Sequence, residues 1–388
     1  MPPGHNLLLA ACRVALGTAR PEDLAPAASG VADWSGVLDA AERHAVLPLL
    51  HAALAAADES VRQQVPPAVA GDLARRFDGN ALHNVALAGH LAGLAACLTS
   101  AGVAFMPIKG PSLTVAAYGD LSLRQFADLD LVVHRRDLDR IRALLGDHGY
   151  VPLNDVPDAL DHVLLGSDYH VALHNPATGV FLEVHWALGR RGLGALRRED
   201  WPWTHAATVT VVGRPLPALE PAALIVYLCV HGVKHNWAQL VRVCDVYAAI
   251  RSHPDTDAGA VRRLARRSGV GRMVDVGLGL CDALLGANLR ERGWAPNASP
   301  VVQSLIGEAA ARCLTERNLS PAEEFRLQLG ARERVVDRLL FSLDVLSAPH
   351  LSDLKAVRLP PQLRALYHVV RPFRLALEHG RRWVARSS

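Results

Sequence analysis

Through the first hundred residues, apolar positions recur every three to four places. WSGVLDAAERHAVLPLLHAALAAA is representative, and the period predicts amphipathic helices. Pro66 and Pro67 interrupt the run, and a long helix is predicted from about Ala68 to Ser100. The texture changes at Gly102. VAFMPI is a short apolar run with β-branched and aromatic members that ends at Lys109-Gly110, which reads as a strand entering a tight turn. Pro107 within it favours a sheet edge, and Pro111 opens the helix PSLTVAAYG.

A polar loop, DLSLRQFA, leads to DLDLVVH, a strand with acids at its start. RRDLDRIRALLGDHG follows as an amphipathic helix closing on Gly149. DYHVALHNPATGVFLEVHWAL reads as a β-hairpin, two alternating runs around the turn Asn175 to Gly179. Beyond Glu220 helical spacing returns, and PAALIVYLCVHGVKHNWAQLVRVCDVYAAI is one long helix or two stacked ones. The order predicts an α/β (α+β) chain. A helical region (1–98) precedes a small mixed-sheet α/β domain (99–217), and a helical domain (218–388) follows.

Composition sharpens this picture in few places. Half the 388 residues are hydrophobic and 20% are charged, which excludes wholesale disorder. A net charge of +3 is too small to point to nucleic acid and suits an anionic small molecule. The six cysteines form no C-x-x-C pair, the pattern of reduced core thiols. The N-terminus lacks a Lys/Arg-rich start, and no stretch reaches ~20 uninterrupted apolar residues. The expectation is therefore a cytoplasmic protein without a membrane span.

The chemistry concentrates in the α/β segment. Asp128 and Asp130 alternate along one strand, so their carboxylates leave the same face while Leu129 and Leu131 enter the core. A bound divalent cation is the common way to make two adjacent acids favourable. D-x-D alone also occurs at solvated strand starts. Glu183 adds a third acid on an otherwise apolar strand, either salt-bridged to a base such as Arg124 or serving as a third ligand. Gly110 would let backbone approach a phosphate at a helix N-terminus, with Lys109 adding a point charge. Arg124 reaches phosphate or pairs with Asp120 or Asp128.

These residues carry a specific resemblance. IKGPSLTVAAYGDLSLRQFADLDLVV followed by LEVHWAL resembles the bacterial family described as uncharacterised nucleotidyltransferase, within the polymerase β-like nucleotidyltransferase superfamily. Lys109, Gly110, Tyr118, Arg124, Asp128, Asp130, Glu183, His185 and Trp186 match its pattern. The wider superfamily usually has glycine-serine where this chain has Lys109-Gly110. The resemblance implies Mg²⁺- or Mn²⁺-dependent nucleotidyl transfer from a nucleoside triphosphate (NTP). Asp128, Asp130 and Glu183 would be the metal-binding catalytic residues. The acceptor would be a peptide, protein or sugar hydroxyl. A nucleotide-binding scaffold with a residual site and a kinase-like phosphoryl transferase are the alternatives. On this reading, Asp128→Asn or Asp130→Asn should abolish activity and leave folding intact or improved.

Two further clusters stand out. On a single helix, His231, Lys234, His235 and Arg242 would share one face. They form packing residues or a basic wall in which Lys234 and His235 contact the nucleotide; H-x-x-x-H as a zinc pair lacks a third ligand. Near the C-terminus, Arg364, Arg371, Arg374, Arg381, Arg382 and Arg386 face one acid, Glu378. That predicts a basic amphipathic helix, solvated or partner-facing.

Overall fold

The central strand β2 (Asp128–Val133) organises the molecule. Its alternation sends Leu129, Leu131 and Val133 to one face, where they join Leu87, Leu91, Leu94 and Leu98 in a single apolar core. Those leucines come from a helix of 34 residues, Pro67–Ser100. This computed structural model describes residues 3–153, 168–297, 299–315, 317–357 and 359–374.

Helices of eight residues or more are labelled in chain order. They are α1 (Pro3–Ala15), α2 (Trp34–Arg43), α3 (Leu47–Ala56), α4 (Pro67–Ser100), α5 (Gly110–Tyr118) and α6 (Leu138–Asp147). After the sheet come α7 (Pro221–Lys234), α8 (Leu240–Ser252), α9 (Ala258–Ser268), α10 (Gly271–Leu285), α11 (Pro300–Thr315), α12 (Pro321–Ala331) and α13 (Val335–Ser347). The other strands of the sheet are β1 (Phe105–Pro107), β3 (Val151–Pro152), β4 (His170–His174) and β5 (Phe181–His185).

The sheet runs β1-β2-β5-β4-β3. The β2–β5 pair is parallel and the remaining pairs are antiparallel, giving a mixed sheet in a largely helical α/β chain. Strand β1, with Pro107, is an edge. The β4–β5 hairpin turns on Asn175, whose Oδ1 accepts from Ala177 N at 3.0 Å, and on Gly179 at φ 71°.

A second hairpin, β6 (Ala206–Val211) and β7 (Arg214–Leu219), escaped the sequence reading. Its signal was the alternation of ATVTVV before Val212-Gly213, where both residues have positive φ, 48° and 71°, as a two-residue hairpin turn requires.

The segment after Glu220 is two helices. Asn236 and Trp237, at φ 50° and 53°, reverse the chain between α7 and α8. Trp237 folds back over Gly232, where a Cβ would stand 2.3 Å from the indole. Helices that precede and follow the sheet share one core: Leu7, Leu8 and Cys12 join Leu278, Leu280 and Cys281 in it. Arg13 Nε donates to the Leu284 carbonyl at 2.9 Å.

Helix α4 is long and apolar enough to cross a membrane by length and composition, with a mean hydropathy of 1.4 over its most apolar stretch. Its leucines line the sheet core, and its fully buried Asn84 donates to the carbonyls of Leu121 and Arg124 at 2.6 and 2.7 Å.

Two of the C-terminal arginines depart from the expectation of a solvated basic face. Arg371 is buried, 3.2 Å from Asp353, and donates to the Val345 carbonyl. Arg374 pairs with the same carboxylate. Arg381, Arg382, Arg386, Glu378 and the Arg364 side chain lie outside the described residues.

Candidate active site

Parallel pairing of β2 and β5 sets Asp130 opposite Glu183, and strand alternation turns Asp128, Asp130, Glu183 and His185 to the same face. Asp130 is 1% exposed, so its charge needs compensation. Lys109 Nζ lies 2.7 Å from its Oδ1, and His185 Nε2 lies 3.1 Å from the same oxygen. His185 Nε2 is also 3.1 Å from Glu183 Oε2, so one imidazole ties the two strands' acids together.

Asp130 Oδ2 is buried with no hydrogen-bond partner, as is His185 Nδ1. Asp130, Glu183 and His185 each present a ligand atom within 4.8 Å of the others. A buried acceptor left open beside a second carboxylate suits a hard cation. Asp128 stands outside that triangle on the same face, half-buried at the start of β2.

Position decides protonation. Burial works against the Asp130 anion, but Lys109 and His185 outweigh it and hold the carboxyl well below its usual range. Asp128 has no such partner; burial, then the charge of Asp130, pushes its pKa up. Its hydrogen bond to His185 lowers that of Glu183. Burial depresses Lys109, and Asp130, Asp128 and Glu183 more than reverse this, so it stays charged.

Lys109 lies two residues beyond β1, at the N-cap of α5, whose first residue is Gly110. Gly110 adopts φ 56°, and a Cβ there would lie 3.2 Å from the Asp128 carbonyl. Glycine therefore serves two ends: the left-handed turn and close passage of β2 beneath it. Thr114 Oγ1 donates back to the Gly110 carbonyl at 2.8 Å.

Arg124 is placed differently from the sequence reading. Its guanidinium forms a two-point pair with Asp245 of α8, Nε–Oδ1 2.8 Å and Nη2–Oδ2 2.9 Å. Neither Asp120 nor Asp128 is its partner. Tyr118 adds a hydrogen bond from its hydroxyl to Asp245 Oδ1 at 2.8 Å. Asp120 instead accepts from Ser122 N within its own loop. Asp245 is thus engaged by α5 and the loop before β2. Nothing in the sequence marks a pairing across 121 residues, although all three residue types were visible.

Arg242 donates to His231 at 2.8 Å and to Gln239 at 2.9 Å. With the helix broken, His231 and Arg242 meet across a turn rather than along one face, and His231 Nε2 is committed to that contact. Burial, then the charges of Arg242 and Lys234, lowers the His235 pKa to about 3. Lys234 reaches solvent but is enclosed on most sides. That enclosure, then the charge of Lys109, lowers its pKa to about 8. Its ammonium lies 4.9 Å from the Tyr169 ring centre. His170, which sequence reasoning passed over, stacks on His185 with ring centres 5.1 Å apart.

The sequence model of a family described as uncharacterised nucleotidyltransferase matches residues 30–286. No curated protein matches the chain in sequence. Among solved structures, the antibiotic-resistance factor ANT(2'')-Ia is similar at 14% identity and a TM-score of 0.34, over 48% of this chain and 93% of that one. An antigenic nucleotidyltransferase-like protein from Paracoccidioides brasiliensis is similar at 16% identity and a TM-score of 0.30, over 48% and 91%.

Proposed function

Because the chain belongs to this nucleotidyltransferase family, we propose that it transfers a nucleoside monophosphate from an NTP to an acceptor hydroxyl through Asp128, Asp130 and Glu183, as a cytoplasmic enzyme of the polymerase β-like superfamily. One observation carries the assignment of the site. The register of two parallel strands gathers the carboxylates on one face and leaves buried Asp130 Oδ2 without a donor.

Asp130 and Glu183, with Asp128 beside them, are the residues that would hold Mg²⁺ or Mn²⁺. When bound, the ion would lower the acceptor hydroxyl pKa and neutralise charge developing on the phosphate. The chain's own residues supply the rest. His185 fixes Asp130 and Glu183 against each other. Lys109 holds a positive charge at the first turn of α5, where the helix N-terminus and Gly110 favour a phosphate oxygen. The Arg124–Asp245–Tyr118 cluster positions the loop entering β2 and leaves no free guanidinium for phosphate at that point. Lys234 adds a further positive charge within reach of Glu183 and Asp130, and the His235 imidazole beside it is neutral. The acceptor oxygen bonds to the α-phosphorus, the α–β bridging bond breaks, pyrophosphate leaves, and the hydroxyl proton is released to water.

The test is incubation of purified protein with each NTP, Mg²⁺ and a host small-molecule and peptide extract, followed by mass spectrometry and pyrophosphate assay. Acceptor mass should rise by one nucleoside monophosphate with stoichiometric pyrophosphate, and Asp130→Asn should abolish both. A gain of a single phosphate would make the chain a kinase-type transferase. Tight NTP binding without any product would make it a binding protein.

A further inference from the structure

A cavity of about 610 Å³ opens beside the acid cluster. Its volume falls in the range of small-molecule sites. Tyr169, His170 and Lys234 form the wall nearest the carboxylates. His170 stacks on His185, and His185 touches both Asp130 and Glu183. The facing wall comes from α12 and α13, beyond the 30–286 segment matched by the family.

That facing wall is built for charge recognition. Phe325 and Phe341 stack with centres 5.5 Å apart. The Arg332 guanidinium lies 3.7 Å over the Phe341 ring. Arg332 is 3% exposed, yet among the described residues it has no ion pair, and its Nε has no hydrogen-bond partner. Its Nη1 is held by the Gln328 carbonyl and by Gln328 Oε1. Asp337 and Asp344 act on it only at longer range, so burial lowers its pKa to about 10. Two acids share the lining, Glu324 and Asp344, and Asp344 sits 3.9 Å from Arg190. The wall is seated firmly: Gly192, in the loop after β5, packs so closely that a Cβ would lie 2.6 Å from the Asp337 carbonyl of α13. A buried guanidinium without a counter-charge is costly unless an anion arrives.

We propose that this cavity is the acceptor pocket, and that Arg332 receives the carboxylate or phosphate of a small anionic acceptor whose apolar or planar part lies on Phe325 and Phe341. The inference rests on the transferase reading and adds to it the acceptor's class. Sheet order separates the two substrates. The Lys109-Gly110 turn follows β1 on one flank of the acids, and His170 on β4 marks the other. The NTP takes the first flank, and the acceptor hydroxyl approaches from the second.

The experiment uses inorganic phosphate and malonate as separate probes of the intact protein, in EDTA at fixed ionic strength, read by calorimetry and thermal shift. NTP binding is measured in parallel with Mg²⁺. Arg332→Met should weaken phosphate or malonate by about tenfold, the scale of one charge-assisted hydrogen-bond pair. NTP affinity should stay within about twofold, since charges across the site are screened. Without anion, Arg332→Met should melt no lower than wild type, because an unpaired buried cation has gone. Whichever probe is affected assigns phosphate or carboxylate.

Unchanged affinity for both probes would overturn the proposal. So would a lower melting temperature without any anion effect, which would make Arg332 a structural partner of Asp337. Loss of NTP binding in Arg332→Met would give the cavity to the nucleotide. If wild type binds anions through Arg332 but binds no NTP, the transferase reading fails while the anion site stands. Should Arg332→Met not fold, Phe341→Leu, which removes the ring beneath the guanidinium, must weaken the same probe.

Discussion

Neutralising Asp128 and neutralising Asp130 should have opposite effects on stability, although both remove one acid from one strand. Asp130 is fully buried, with Lys109 at 2.7 Å and His185 at 3.1 Å. Removing one partner of a buried pair costs ~3–5 kcal/mol, because the other charge is left unpaired. Asp128 and Glu183 still act on Lys109 and return part of this. Asp130→Asn is therefore expected to lose about 2 kcal/mol, which for a chain of this length is about 2–3 °C in melting temperature. Asp128 forms no ion pair among the described residues, and its pKa is raised by burial and by Asp130. Its charge is a net burden before metal binds, so Asp128→Asn should be neutral or gain up to about 1 kcal/mol. This divides the sequence-based expectation that either change would spare folding, which treated the two acids only as repelling each other. The assay is urea denaturation in EDTA, then repeated with Mg²⁺. Activity should fall ~10²-fold or more in both variants. Equal stability for the two, or the reverse order, would refute the reasoning.

Lys109→Met should cost about 2–4 kcal/mol in EDTA by stranding Asp130, and added Mg²⁺ should narrow the gap to wild type; a gap indifferent to divalent ion would separate Lys109 from the metal site. Gly110→Ala forces a side chain into φ 56° and against the Asp128 carbonyl. It should cost about 1–2 kcal/mol in the same urea assay and lower kcat more than it raises KM for NTP. His235, whose folded pKa of about 3 lies below the unfolded value near 6.5, stabilises the protein when neutral, above pH 6.5. As pH falls from there toward 3, the unfolded chain takes the proton first, and stability is lost at about 1.4 kcal/mol per pH unit. His235→Asn should flatten the denaturation-versus-pH curve in that window, and an unchanged curve would assign the loss to other groups.

Much of the site was legible because its information is local. Alternation fixes which way Asp128, Asp130 and Glu183 point, and glycine after a strand followed by Pro111 marks the turn into α5. The β2–β5 register that sets Asp130 against Glu183 was open in sequence, since parallel pairing carries no local signal. Long-range choices were similarly hidden. Arg124 had nearby acids in Asp120 and Asp128, yet its planar fork met Asp245, which α8 brings to it already buried. The break between α7 and α8 depends on Asn236 and Trp237 taking positive φ, which is rare for tryptophan and is stabilised by the packing of its ring over Gly232, by its backbone N–H donating to the Gly232 carbonyl and by Gln328 donating to Asn236 Oδ1. The Val212-Gly213 hairpin was readable from its alternation and was missed beside the stronger helical pattern that follows.

The Arg124–Asp245 pair also imposes an order in time. The acid-bearing strand leaves the ribosome more than a hundred residues before the helix that anchors the loop entering it. Until Asp245 has emerged and α8 has docked, Arg124 and Tyr118 lack the carboxylate they share, and the approach to β2 is held by Asn80 and Asn84 of α4 and by the contact of Gln125 with Leu47. The nascent α/β segment is thus kept incomplete through much of its synthesis, and a chain released early would carry every acid of the site without the fastening that holds them in place.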